Sequence, residues 1–216
     1  MSRKYMARAI RTKAYGFLQL QFPSQYELFL ERYEGGVYTS LSLDSLVRAA
    51  NAAREANALI ILPSILFLLC TRTMDDVLKY AFPSGGAIVL SPPNLIAILK
   101  GRSRISLFAR KHIYSFAFLN KEVLGCQASY DCRSLNGLWA ETAEQAEGWI
   151  DPFERLPEQR GLRLIRNARC AICRTKAGEE MVEGRDKIWH VMPGMFDLPD
   201  WKELSHISQS PEDLLE

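Results

Sequence analysis

Four of the five cysteines lie in the C-terminal half as two pairs, Cys126-x5-Cys132 and Cys170-x2-Cys173. A structural zinc ion takes such a set: four thiolates, tetrahedral, at about 2.3 Å, with no position left open for chemistry. Cys170-x2-Cys173 has the spacing of a ligand pair, while Cys126-x5-Cys132 is looser than is usual. Arg133, Arg169 and Arg174 adjoin the cysteines. Four thiolates on one dication leave a net negative charge, which neighbouring guanidinium groups offset while favouring the thiolate form. The pattern predicts a structural zinc at Cys126, Cys132, Cys170 and Cys173. Two other readings stay open. Free cysteines are often small buried hydrophobes, and a redox Cys-x2-Cys needs a βαβ setting that the pattern does not supply. Cys70, inside an apolar run, is assigned to packing. His112 and His190 fall in helical patterns and read as hydrogen-bonded histidines rather than ligands.

No other residue set has the spacing of an active site. There is no glycine-rich phosphate loop, Gly-x-Ser-x-Gly or His-Glu-x-x-His in the chain. Asp75-Asp76 and Glu179-Glu180 are adjacent carboxylates, which a helix points about 100° apart, so they read as cap or surface charge. No enzyme and no small-molecule substrate are expected.

The elements that must bring the cysteine pairs together are helical. Apolar positions recur at helical spacing over 3–20 (Ile10, Ala14, Phe17, Leu18) and 43–57 (Leu43, Leu46, Val47, Ala50, with Ser42 as N-cap). A short helix is predicted over 25–33. Pro63 opens a helix over 63–71, where its missing N–H is no loss, and Asp75-Asp76 open another to Tyr80. Residues 87–90 read as extended. A helix from Ser91-Pro92, with Leu95, Ile98 and Leu99 inward, is closed by Gly101. The next, 103–119, uses Ile105, Leu107, Phe108, Ile113, Phe116 and Phe118. Helices are also expected over 131–147 and 175–192, the latter stopping at Pro193 with Met181, Ile188, Trp189 and Met192 on one stripe. Pro199 begins a last turn to Leu204. The fold class is mainly α, an irregular multi-helix bundle with long loops and a four-cysteine metal site. Its parts are a helical scaffold over 1–119, a cysteine-containing part over 120–204 packed on it, and a mobile tail over 205–216.

With 216 residues, 48% hydrophobic and 24% charged, the chain can bury a sizeable core. The longest apolar run, Ala58 to Cys70, holds Pro63 and falls short of the roughly 20 residues a membrane-spanning helix needs, so no membrane is expected. Five cysteines without an export signal point to a reducing compartment, cytoplasmic or nuclear. The stretch Met1 to Tyr26 is basic and free of acid, which also fits a mitochondrial leader; an ordinary packed helix is the preferred reading. Net charge is only +2, yet no acid falls between Asp76 and Glu122. Lys100, Arg102, Arg104, Arg110 and Lys111 form a candidate basic patch there.

Several segments resemble, in order, the helical region that follows the core in the BTB/POZ-domain proteins numerous in mushroom-forming fungi. They are Arg3-Lys4-Tyr5 with Ile10-Arg11, Ala49 to Cys70, and Val89-Leu90-Ser91-Pro92 to Leu99-x-Gly101-Arg102. The four cysteines follow, and then the most specific part, Gly184-Arg185-x-Lys187-x-Trp189 and Leu198-Pro199-x-Trp201-x-Glu203-Leu204. The resemblance implies that the four cysteines belong together and that the chain is a non-catalytic protein-protein interaction module. No segment corresponds to the mixed α/β BTB core, so its self-association and ubiquitin-ligase recruitment are not carried over. Trp149 and Phe153, beside Pro152 in an irregular stretch, are the candidate partner anchors. The alternative function is a zinc-stabilised, regulatory nucleic-acid-binding domain using the basic patch. A near-neutral chain with little aromatic interleaving argues for the protein partner.

Overall fold

The computed structural model describes residues 13, 15–82, 88–115, 125–126, 151–153 and 170–209, which are mainly helical and contain no strand. The expected helix over 131–147 lies outside the described residues, as do Trp149, Cys132, Phe116 and Phe118. The elements are α1 (15–21), α2 (Tyr26–Glu34), α3 (Leu43–Glu55), α4 (Leu62–Cys70), α5 (Met74–Ala81), α6 (Pro92–Phe108), α7 (Ala171–Met195) and α8 (Trp201–Gln209). They fall into two compact units, one drawn from 1–101 and 192–216, the other from 102–191. This division differs from the expected border at 119/120 in that residues 192–216 group with residues 1–101.

In the first unit α4 is the centre. All nine of its residues are buried, as fits a helix apolar on every side, and among the described residues no helix is long and apolar enough to cross a membrane. The one hydroxyl inside it, on Ser64, donates to the Pro23 carbonyl at 2.8 Å, so its burial leaves no polar group unpaired. Cys70 at its end contacts the Ile98 carbonyl at 3.6 Å. On one side of α4 an aromatic cluster of Phe29, Tyr33 and Tyr38 meets Phe67. On another, α3 turns in Leu46, Val47, Ala50 and Ala53, beginning where Ser42 accepts from the Ser45 N–H. α3 ends when Asn57 adopts φ +53° and the Asn57 and Ala58 amides return to the Arg54 and Ala53 carbonyls, the left-handed helix stop that asparagine tolerates.

Residues 88–90 of the stretch expected as extended over 87–90 are described, and they pair with no strand among the described residues. They form a strap held by the Leu90 N–H, which donates to the Tyr80 carbonyl at 2.8 Å, and by the side chain of Asn51. The Asn51 amide donates to the Val89 carbonyl at 2.7 Å and accepts from the Ser91 N–H at 3.0 Å. Asn94, fully buried, donates to the same Asn51 oxygen and accepts from Arg54 Nε at 2.7 Å. Burial pulls the Arg54 guanidinium below its usual range.

Three sequence expectations about helix ends and faces are corrected. Gly101 does not close a helix; α6 runs through it to Phe108, because the missing side chain makes room for the Phe196 ring. Pro193 does not stop α7 either, since only one amide donor is lost near the end of the helix. The stop comes at Asp197, φ +57°, with the Leu198 and Asp197 amides on the Pro193 and Gly194 carbonyls and the Asp197 carboxylate on Lys100 at 2.7 Å. Phe17 and Leu99, expected inward, are 71% and 46% exposed, and Leu107 is also exposed. The apolar period names a face without saying what covers it. At the C-terminus α8 continues past Leu204 to Gln209, with Leu204 fully buried, so the start of the expected tail is helix.

Candidate metal centre

In the second unit α6 ends in a π segment, Ala109–Ile113, marked by the Tyr114 N–H donating to the Ala109 carbonyl at 2.8 Å. The extra residue in this turn changes the helical register, and Tyr114 and Ser115 are both buried. The Tyr114 hydroxyl donates to the Asp151 carbonyl at 2.9 Å, and the Ser115 hydroxyl donates to the Glu180 carboxylate. Gly184 allows α7 to lie against this segment, since a Cβ there would overlap the His112 carbonyl group. At the next residue, Arg185 Nε donates to the Pro152 carbonyl at 2.9 Å. Trp189 meets the Phe153 ring edge to face at 6.2 Å between centroids.

Phe153 is therefore not an exposed anchor. It is fully buried, because Tyr114 and Arg185 hold the carbonyls of the two residues before it and turn its ring onto Trp189. The local turn contributes, with the Asp151 carboxylate accepting the Phe153 N–H at 2.8 Å, but the two outside donors, Tyr114 and Arg185, are not announced by the Asp-Pro-Phe sequence.

The cysteines meet in this unit. Cys170 immediately precedes α7, its carbonyl accepting the Arg174 N–H at 3.1 Å, and Cys173 lies in the first turn. Both thus sit at the positive end of the helix dipole, which stabilises thiolate. Cys126 arrives from a separate stretch on a turn made by Gly125, φ +82°. A Cβ on Gly125 would be 3.6 Å from Ile172 Cδ1, so the turn lies beside one of the two residues between Cys170 and Cys173. The three Sγ atoms lie within 4.8 Å of one another, and Cys126 and Cys170 are 4.0 Å apart. Four ligands at about 2.3 Å in a tetrahedron have edges of about 3.8 Å. The thiols thus stand at the spacing of a metal-binding face, about twice the length of a disulfide bond. Cys173 is buried, Cys126 and Cys170 half-buried. These three cysteines can hold a metal ion; Cys132, the expected fourth, lies outside the described residues.

Sequence reasoning found three of these ligands and missed Gly125 as their support. The available signal was a glycine directly before a ligand cysteine. His190 makes its contact within α7, Nδ1–H donating to the Asp186 carbonyl at 2.8 Å, and His112 lies against Phe108; neither joins the thiols. Of the acidic pairs, Asp76 binds Thr73 and Lys79 and Glu179 binds Lys176 at the surface, whereas Glu180 is half-buried and accepts from the buried Ser115. Among the basic residues, Lys100 pairs with Asp197, while Arg104 and Lys111 are exposed and Arg102 and Arg110 half-buried. Two residues of a helix are turned by about 200°, so Arg102 and Arg104 point to opposite sides and do not make one stripe. Comparison of the chain with protein-family models, with curated proteins and with solved structures gave no match.

Proposed function

We propose that this chain is a non-catalytic protein-protein interaction module, a helical body whose cysteine-bearing unit is held by structural zinc. The observation that carries the reading is the convergence of Cys126, Cys170 and Cys173 at the spacing of a tetrahedral edge. Zinc suits thiolate donors; with Cys132 as fourth ligand the ion is enclosed and tightens the fold. The polar side chains that are well placed elsewhere, Asn51, Arg54, Tyr114 and Arg185, are spent on backbone and side-chain groups of the chain itself. The resemblance to the post-core helices of BTB/POZ proteins agrees with this role. The contact surface is drawn from α6, where Ile96 and Leu99, one turn apart, are 52% and 46% exposed, replacing Phe153 as candidate anchors.

The metal part is tested by zinc content of protein purified without chelator. About one ion per chain is expected, lost in Cys170→Ser and kept in Cys70→Ser; no zinc in the wild type overturns it. The interaction part is tested by affinity capture with wild type and Ile96→Asp/Leu99→Asp. A protein retained by the wild type through high salt and lost by the variant supports the reading. Retention that falls steeply with ionic strength and follows nucleic acid instead favours the basic-patch alternative.

A further inference from the structure

The thiols of the candidate metal centre differ in access. Cys173 is 2% exposed and fixed in the first turn of α7, whereas Cys126 and Cys170 are half-buried and lie outside helix, one on the Gly125 turn and one just ahead of α7. Their sulfurs are already 4.0 Å apart; a disulfide needs about 2.05 Å, a closure of about 2 Å. A water-borne oxidant therefore reaches the two thiols that come from different stretches of chain before it reaches the buried member of Cys170-x2-Cys173.

We infer that Cys126 and Cys170 form a hydroperoxide-sensitive modification site, whose cross-link competes with the metal for the same sulfurs. The inference rests on the zinc reading for the competition but not for the pairing. One thiolate attacks hydrogen peroxide, the O–O bond breaks, and the sulfur becomes sulfenic acid as one water leaves after protonation. The second thiolate attacks that sulfur; the S–S bond forms, the S–O bond breaks, and the hydroxide leaves as a second water. Two thiols give up two electrons and two protons, and one peroxide becomes two waters. An ion deprived of two thiolates is no longer enclosed and is released. The result ties the turn at Gly125 to the start of α7 covalently when the metal is lost, so this part of the unit keeps its connection under oxidation.

The test treats the full chain, zinc-loaded and chelator-stripped, with one equivalent of hydrogen peroxide. It follows free thiols, zinc release to a chromogenic chelator, and disulfide-linked peptides by mass spectrometry without reduction. Expected is the loss of two thiols per chain, release of the bound zinc in step with them, a dominant Cys126–Cys170 peptide, and full reversal by dithiothreitol. A dominant Cys170–Cys173 peptide, a link through Cys132, or oxidation that leaves zinc bound overturns the inference. Zinc absent from the untreated protein sinks the metal reading alone, and the peptide map of the stripped protein still decides the pairing. Cys70→Ser, remote from the cluster in sequence and buried in α4, serves as the control that leaves all three readouts unchanged.

Discussion

Gly101 lies against the ring of Phe196 with no room for a methyl group between them. A glycine inside a helix costs about 1 kcal/mol relative to alanine, so at an open position Gly→Ala would stabilise. Here the sign reverses. α6 keeps its glycine because Phe196, just past the end of α7, is fully seated in the first unit and fills the space a Cβ would take.

Gly101→Ala is expected to destabilise by about 1–3 kcal/mol, the usual cost of overpacking, and Phe196→Ala by about 3–5 kcal/mol. With the ring gone, the methyl has space, so adding Gly101→Ala to Phe196→Ala should be neutral or stabilising by about 1 kcal/mol. Urea denaturation of the four proteins checks this, and simple additivity of the two losses would refute the contact.

Tyr38 is buried, and its hydroxyl has no hydrogen-bond partner among the described residues. Burial pushes its phenol well above the ordinary tyrosine range, with Arg32 pulling slightly the other way. A raised folded value means the neutral form is the one the fold accepts. This contribution to stability is complete below the unfolded value of about 10 and is lost as pH rises above it. Tyr38→Phe is expected to be neutral or stabilising by about 1 kcal/mol at pH 7, since it removes an unpaired buried polar group. It should also flatten the fall in stability above about pH 10. Thermal melts of both proteins at pH 7 to 11 provide the comparison.

Asn51 bridges Val89, Ser91 and Asn94 with one amide. Asn51→Ala leaves those groups short of a partner, at a cost of about 1–3 kcal/mol. Asn51→Asp keeps the acceptor for Ser91 but puts a carboxylate against the Val89 carbonyl, so it is expected to recover only part of the loss. Hydrogen exchange at the Ser91 amide should quicken in Asn51→Ala, while the amides of α4 follow global stability.

Gly125 holds a left-handed φ, yet a Cβ there would meet Ile172 only at ordinary contact distance. The cost of substitution is thus conformational. Gly125→Ala is expected to lower stability by about 1–2 kcal/mol, and Gly125→Asn by less, because asparagine visits this region more readily. Denaturation midpoints with zinc present rank the three proteins; an alanine variant as stable as wild type would remove Gly125 from the argument.

The sequence by itself determined what depends on near neighbours. The apolar period and Ser42 set α3, an apolar run opening on Pro63 set α4, and the Cys170-x2-Cys173 spacing at a helix start set two of the three clustered thiols. These follow from backbone geometry and from one helix turn meeting the next. That Cys126 belongs with Cys170 and Cys173 is one of several readings the spacing leaves open, favoured by the family resemblance; the structure brings the three together.

Only the tertiary structure decided which face of each helix is covered and what a special residue is for. Gly101 and Pro193 are helix breakers in isolation, yet both sit inside helices, since a ring that needs space and a stop four residues later outweigh their local cost. Phe153 looks like a surface anchor until Tyr114 and Arg185 take hold of the carbonyls before it. Phe17 and Leu99 carry the apolar period and remain exposed. Burial is a property of pairs of surfaces, and a one-dimensional pattern specifies only one member of each pair.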